Sequence, residues 1–235
     1  MRIEALNENS SIVYLGDEIS DDVSARVGRA LAIVRQSLGP LLTDLVPSYT
    51  SLLLYYDPDR IDHEQLHQYL VELLDDDAAD LQESVSSALL EVPVYYGEEV
   101  ALDLQALSEF AGLAPDEVIS IHSDSPYRVY AIGFAPGFAY LGKVDQRIAM
   151  PRMQKPRLRV PAGSVAIADS QTAVYPAATP GGWRIIGRTP MQMIDWESDS
   201  LTQIEVGAEI RFRPIGRQEY LDLGGQLDED VANEL

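Results

Sequence analysis

The feature that constrains this fold most is a long region in which short apolar segments are separated by glycine and proline. None of these segments has the apolar spacing of an amphipathic helix. Barrels and sandwiches show this punctuation because each short strand ends in a tight turn. The region is therefore predicted to form a β-barrel or a β-sandwich. The segments are Tyr127–Ala135, Arg159–Ala168, Thr172–Tyr175, Trp183–Arg188, Met191–Asp195 and Glu209–Pro214.

The first part of the chain combines strands with amphipathic helices. Ser20 can cap a helix whose apolar residues recur with the helical period until Gly39-Pro40, and Asp62 begins a second helix. Four strands alternate with these helices in the order β-α-β-β-α-β, which is the ferredoxin-like arrangement. The predicted strands are Ser11–Leu15, Leu41–Val46, Ser51–Tyr56 and Leu90–Tyr95.

These patterns predict an α+β protein with two folded parts. We expect a ferredoxin-like α/β domain over residues 1–88, a β-barrel domain over residues 89–217 and an acidic, frayed C-terminal tail over residues 218–235. The acidic residues 75–80 are expected to be a connector. Two short helices, Leu102–Ala111 and Pro115–His122, are expected before the barrel strands begin.

Composition excludes several classes of function. The 17 basic and 38 acidic side chains give a net charge of −21, which argues against nucleic acid as a partner. The absence of cysteine excludes disulfides, thiolate metal sites and a cysteine nucleophile. No apolar run is long enough to span a membrane, and the start MRIEALNENS is unlike a signal peptide. We therefore expect a cytoplasmic protein that binds neither nucleic acid nor membrane.

Positive charge is concentrated in the barrel region. Residues 127–217 carry 12 basic and 7 acidic side chains, within a chain that is otherwise strongly acidic. Such an island can concentrate small anions while the whole surface repels polyanions. Arginine on exposed strand edges, where charge discourages aggregation, explains the same pattern equally well.

The densest motif is GFAPGFAYLG, residues 133–142. Its glycines and proline predict a sharply turning loop that brings Phe134 and neighbouring rings to the wall of a pocket or, alternatively, to the plugged end of a barrel. The spacing Gly137, Gly142, Lys143 matches a phosphate-binding loop, but Val144 replaces the hydroxyl residue that holds magnesium. We interpret that match as chance.

Two further blocks supply polar groups. Arg157 and Arg159 share one face of a predicted strand, where they can bind a carboxylate or phosphate or can simply face solvent. Ser164 lacks the surroundings of a nucleophile. The next block offers neutral hydrogen-bonding groups for an amide or lactam, a ring presented by a Pro-Gly-Gly turn, and a further charge. These residues are Gln171, Thr172, Tyr175, Trp183 and Arg188.

The chain has three histidines, and only His122 lies near the predicted site. It can transfer a proton near neutral pH or bind an anion, or it can merely cap the C-terminus of its helix. His63 and His67 have metal-compatible helical spacing but lack an evident third ligand. No metal ligands are therefore assigned.

The runs GFAPGFAYLG, PRLRVPAGSVAIA, QTAVYP and TPGGWRIIGRTP resemble the KipI/allophanate hydrolase subunit 1 family, which contains the B component of bacterial 5-oxoprolinase. The resemblance covers roughly residues 5–217, although Ala139 stands where proline is common. It implies an N-terminal α/β domain followed by a cyclophilin-like β-barrel.

The resemblance also implies an activity. Such a component acts with subunits C and A to open 5-oxoproline to L-glutamate with ATP and Mg²⁺, and the B–C pair is implied in phosphorylating the lactam. The chain alone is then expected to be inactive and to hold no tightly bound cofactor. Arg157, Arg159 and Arg188 would face the phosphoryl group, Gln171, Thr172 and Tyr175 the lactam, Phe134 and Trp183 would form walls, and His122 would serve as an acid–base group.

Two other functions stay open at this point. The family also implies a regulatory protein that inhibits a sensor histidine kinase, in which case the rings and arginines would form a docking face. A component of an allophanate or urea pathway is the third alternative. Dependence of ADP release on 5-oxoproline distinguishes the first function from the other two.

Overall fold

Contacts within the chain divide it after Ser87 into two units, Met1–Ser87 and Ala88–Leu235. The structure is a computed structural model that describes residues 1–74, 89–197, 201–202 and 204–227. The predicted connector at residues 75–80 lies outside the described residues. Within the described ranges, no helix has the length and apolar character that crossing a membrane requires.

The first unit is a four-stranded antiparallel sheet with two helices, and the strands lie in the order β1-β2-β4-β3. Helix α1 begins after Ser20, whose hydroxyl accepts a hydrogen bond from the Val23 amide at 3.2 Å. Its apolar stripe, including Val27 and Val34, is buried against the sheet core. The elements are β1 (Arg2–Asn7), β2 (Ser10–Tyr14), α1 (Asp21–Leu38), β3 (Leu42–Pro47), β4 (Ser51–Tyr56) and α2 (His63–Leu74).

The predicted ferredoxin-like order is wrong in its last strand. Leu90–Tyr95 does lie in a strand, β5 (Leu89–Tyr95), but β5 pairs with barrel strands in the second unit. Strand β1, which the sequence patterns did not predict, occupies the sheet edge beside β2 instead. The two strands are joined by a turn at residues 8–9, and closing so short a loop costs little entropy.

The second unit contains a closed barrel of seven strands in the order β10-β7-β6-β13-β5-β12-β9. A mixed α/β chain with a β-barrel is therefore confirmed, and the sandwich alternative is wrong. Strands β8 and β11 form a separate two-stranded sheet. The strands are β6 (Tyr127–Ile132), β7 (Ala139–Gly142), β8 (Arg157–Val160), β9 (Ser164–Ala168), β10 (Gln171–Val174), β11 (Thr179–Gly181), β12 (Arg184–Arg188) and β13 (Glu209–Ile215).

Alternation along the barrel strands separates two cores. One core receives side chains from all seven barrel strands, including Val165 and Val174, and also from helices α3 (Leu104–Ala111) and α4 (Pro115–Ser123). The other contains Ala166 and Ala173, which are the sequence neighbours of those residues and point to the opposite face. The second core lies beneath the rings described below.

The predicted C-terminal tail is wrong for the residues that the structure describes. Residues 217–222 form helix α5 (Arg217–Asp222), and Tyr220 on this helix is 1% exposed. Its ring lies 5.3 Å from the ring of Tyr95, and its hydroxyl donates to the Gln226 carbonyl at 2.9 Å. Buried aromatic packing, which charge counting did not reveal, therefore fixes this segment. Residues 228–235 lie outside the described residues.

Two glycines should respond oppositely to alanine. Gly163 has φ +78°, and a Cβ there would lie 2.4 Å from the Thr189 carbonyl oxygen. We expect Gly163→Ala to lose roughly 1–2 kcal/mol of unfolding free energy from the backbone conformation, and more from the clash. Gly28→Ala, inside α1 with open space around it, should gain about 0.5–1 kcal/mol. Urea unfolding of both variants tests this, and equal effects would contradict it.

Candidate functional site

Five aromatic side chains from three separate segments meet on the outer face of the barrel. We call them the ring cluster: Phe134, Phe138, Tyr140, Tyr175 and Trp183. Phe138 is 2% exposed and contacts the other four, with ring centroids 4.9–5.6 Å away. Every contact of Phe138 is edge-to-face, an arrangement that favours aromatic pairs beyond simple burial.

The loop before β7 presents two of these rings in different ways. The Gly133 amide donates to the Phe138 carbonyl at 3.0 Å, and the Phe138 amide donates to the Ala135 carbonyl at 3.0 Å. Phe134 lies at the tip with φ +69° and is 65% exposed. A positive φ is costly for a phenylalanine, and such strain is concentrated at functional sites. The loop therefore holds one ring in the core and one in solvent.

Tyr175 anchors the Trp183 side of the ring cluster. Its ring covers Gly181, where a Cβ would lie 2.3 Å from the Tyr175 hydroxyl oxygen. Burial raises the pKa of Tyr175, and the Trp183 backbone amide, which donates to its hydroxyl, together with the charge of Arg157 only partly opposes that rise. Tyr175 is therefore a neutral phenol that fixes the turn carrying Trp183. Trp183 and Tyr140 are each half-buried, with centroids 5.9 Å apart.

The guanidinium of Arg157 lies near the rings but is already bound. Its two terminal nitrogens donate to the two carboxylate oxygens of Asp103 at 2.8 and 2.9 Å. The Arg157 side chain is 10% exposed and that of Asp103 7% exposed. The charge is therefore compensated inside the protein, which the sequence prediction of an anion-binding Arg157 did not anticipate.

The other two predicted arginines are separated. Arg159 is exposed on the β8–β11 sheet. Arg188 is buried to 9% exposure and donates to the Ala162 carbonyl at 2.9 Å and to the Gln226 carbonyl at 3.1 Å. Arg188 therefore ties β12 to a loop and to the C-terminal segment. Of the three arginines, only Arg159 faces solvent.

His122 lies in the barrel core instead of at the ring cluster. It is 0% exposed, and its ring stacks on Phe212 with centroids 4.6 Å apart. Its Nδ1 lies 2.9 Å from the Tyr96 hydroxyl, and its Nε2 lies 2.9 Å from the hydroxyl of Thr172. Thr172 donates its own proton to the Ala166 carbonyl at 3.0 Å, so the network assigns the Nε2–H tautomer to His122. Both nitrogens are thus used internally.

Strand alternation explains why Thr172 does not join the other predicted substrate-binding residues. On β10, Thr172 and Val174 point to the core that contains His122, whereas Gln171 and Ala173 point to the outer face. The site therefore retains the rings and Gln171 on one face, with Arg157 nearby. Thr172, His122 and Arg188 have internal structural contacts elsewhere.

Burial lowers the pKa of His122 from 6.5 to about 3. Between these values the unfolded chain binds a proton that the folded chain does not, so folding stability falls by about 1.4 kcal/mol per pH unit of acidification. Above pH 6.5 this group has no such effect. We expect His122→Gln to be less stable near neutral pH but to lose stability less steeply on acidification. Urea unfolding at several pH values checks this, and identical slopes would contradict it.

Sequence reasoning missed three important residues. Phe138 and Tyr140 stood inside a motif that was singled out, yet only Phe134 was chosen from it. Asp103 was passed over because an acidic residue before a helix is ordinarily a cap. Within the described residues, no group of three or more His, Asp or Glu side chains is arranged to hold a metal ion.

The family of carboxyltransferase domains, subdomains C and D, has a model that matches residues 1–203, and the chain belongs to this family. Within it the curated relatives are named as the B component of 5-oxoprolinase. The protein of that name from Bacillus subtilis (strain 168) is 36% identical over 228 residues, 93% of this chain and 95% of the relative. The Escherichia coli O157:H7 protein is 43% identical over 128 residues, 54% of this chain and 59% of the relative.

Solved structures agree with the fold. TTHA0988 has a TM-score of 0.77 and 31% identity over 89% of this chain, which spans 40% of that protein. PH0987 from Pyrococcus horikoshii has a TM-score of 0.55 and 39% identity, covering 93% of this chain and all of the other. The urea carboxylase of Kluyveromyces lactis has a TM-score of 0.69 at 17% identity, which shows the fold alone.

Proposed function

We propose that this chain is the B component of a 5-oxoprolinase, which acts with subunits A and C in the ATP-dependent opening of 5-oxoproline to L-glutamate. The observation that carries this proposal is the match to the 5-oxoprolinase B component of Bacillus subtilis, which extends over 93% of this chain and 95% of the relative. A match of this extent includes the ring cluster and both units. We place the reaction in the cytoplasm, where ATP is available.

The ring cluster supports a role in holding the substrate. The lactam of 5-oxoproline is a flat five-membered ring with one amide and one carboxylate. Trp183 and Tyr140 are half-buried rings that can pack on such a ring, and the exposed Phe134 can cover it. Gln171 lies on the same face for the amide. The exposed Arg159 is the guanidinium we assign to the carboxylate.

The residues of this chain fit poorly with a complete nucleotide site. Arg157 and Arg188 are bound to Asp103 and to backbone carbonyls, and the described residues contain no cluster that would hold magnesium. Phosphoryl transfer needs positive charge around the phosphoryl group. ATP bound in the complex supplies the phosphoryl group that makes the lactam oxygen easier to expel. We therefore assign nucleotide and Mg²⁺ to the assembled subunits and expect the isolated chain to be inactive.

The test is an assay of ADP release after co-expression with subunits A and C. We expect release to require 5-oxoproline and this chain. Arg159→Ala and Gln171→Ala should raise the KM for 5-oxoproline, whereas Arg213→Ala, which breaks an exposed pair with Glu219, is the matched control. Unchanged turnover with weakened subunit association would assign Arg159 and Gln171 to docking. ADP release that ignores 5-oxoproline would overturn the proposal.

A urea-pathway function is the second candidate, because one relative favours it. A putative urea carboxylase of Emericella nidulans is 26% identical over 161 residues, which are 59% of this chain but 13% of that protein. Substituting urea or allophanate for 5-oxoproline in the same assay separates the two. Turnover of these compounds alone would replace the first proposal.

A further inference from the structure

We propose that Asp103 is a positioning residue that holds Trp183, and with it the ring cluster, in place through Arg157 and strand β12. The ion pair itself is not a contact with substrate. The expected effect on 5-oxoproline rests on the function proposed above, whereas the expected effect on Trp183 does not.

The carboxylate of Asp103 connects three segments of the chain. It binds both terminal nitrogens of Arg157 on β8, and one of its oxygens accepts the backbone amide of Ile185 on β12 at 2.7 Å. The Asp103 amide in turn donates to the Ile185 carbonyl at 2.7 Å. Arg184 places a further nitrogen 4.0 Å from the carboxylate. Ile185 is two residues from Trp183, so these contacts fix the start of the strand that carries it.

Asp103 is diverted from the usual use of such a residue. It occupies the N-cap position of α3, where aspartate normally accepts a hydrogen bond from the first turn of the helix. Its side chain makes no capping bond, and its backbone has φ −117° and ψ 2°. A favourable local contact is thus given up for the contacts with Arg157 and Ile185. Local helix stability does not explain that choice, whereas holding β8 and β12 together does.

The Trp183 turn is enclosed by the segment that carries Arg157. The Met153 amide donates to the Gly182 carbonyl at 2.7 Å, and Arg184 Nε donates to the Pro151 carbonyl at 3.1 Å. Arg157 itself pairs in register with Gly181. The residues on both sides of Trp183 therefore depend on the position of the 151–157 segment, which the ion pair fixes from beneath.

Removing one partner of a buried ion pair leaves the other charge uncompensated. In Asp103→Asn, the Arg157 guanidinium must seek solvent or a new partner, and the 151–157 segment must move with it. We therefore expect displacement of Trp183 along with the loss of stability. A purely structural ion pair would lower stability and leave the Trp183 environment unchanged.

The experiment uses fluorotryptophan-labelled chain co-assembled with unlabelled subunits A and C. The chain has two tryptophans, so Trp196→Phe leaves one fluorine NMR signal, from Trp183. We expect Asp103→Asn to shift or broaden that signal and to raise the KM for 5-oxoproline roughly tenfold, with kcat within about twofold. The control is Asp145→Asn, which removes a two-pronged contact to Arg147 that is exposed to solvent. It should change neither quantity.

If Asp103→Asn does not fold, Arg157→Lys replaces it. Lysine keeps the charge but cannot make the two-pronged contact, and the same direction of change in both readouts is expected. An unchanged Trp183 signal in a folded variant would overturn the proposal. A complex without 5-oxoproline turnover would contradict the proposed function but would leave the fluorine signal to decide the role of Asp103.

Discussion

Phe138→Ala is expected to destabilise the protein more than any other single truncation in the ring cluster. Phe138 is 2% exposed and is the ring that touches all the others. Its removal leaves a cavity and also takes an edge-to-face partner from Tyr140, Tyr175 and Trp183. We expect a loss of about 3–5 kcal/mol of unfolding free energy. Urea or thermal unfolding of the purified chain measures this loss.

The matched control is Phe110→Ala on helix α3. Phe110 is 57% exposed, so its truncation should change the unfolding free energy by less than about 0.5 kcal/mol. In the assembled complex, Phe138→Ala should also abolish most 5-oxoproline-dependent ADP release, because the remaining rings lose their common support. Similar losses of stability in the two variants would show that Phe138 is not the central support.

Trp183→Ala is expected to have the largest effect on substrate binding. Trp183 is half-buried, and its ring is held by Phe138 and Tyr140 from the side while its backbone amide is bound by Tyr175. Removing the ring takes away the main apolar surface for the lactam. We expect the KM for 5-oxoproline to rise roughly 10- to 100-fold, corresponding to about 1.4–2.8 kcal/mol. Steady-state ADP release by the complex measures it.

Trp196→Ala serves as the control for the second prediction. Trp196 is 72% exposed, so its loss removes the same side chain from a site that the proposal does not involve. We expect its KM to stay within about twofold of the parent value. A large rise in KM for Trp196→Ala, or none for Trp183→Ala, would move the substrate away from the ring cluster.

Local pattern predicted the barrel but not the complete pairing of its strands. Short apolar segments with glycine and proline between them indicate strands wherever they occur, and the closed barrel confirms them. Strand β5 shows the limit of such reasoning, because it pairs in parallel with β13 from the far end of the chain. Strand β1 shows another limit. Most of its side chains are exposed, so it carries little apolar signal.

For the site, the sequence indicated residue types better than their faces. The motif loop, Tyr175 and Trp183 do converge, since glycine turns and rings mark close packing directly. Thr172 was assigned to the same site as Gln171, although neighbours on a strand point to opposite faces. The carboxylate of Asp103 could not be predicted as the partner of Arg157, because nothing local connects two residues that meet only after folding.

Substrate binding by this chain depends on one contact above all: the lactam ring of 5-oxoproline packs on Trp183 in the assembled complex. The most direct measurement is a titration of the Trp196→Phe complex with 5-oxoproline while the fluorine signal of labelled Trp183 is followed. We predict a saturable shift of that signal, with a midpoint that agrees with the KM for ADP release. A signal that stays unchanged at saturating 5-oxoproline, while the same sample turns the compound over, would contradict this packing.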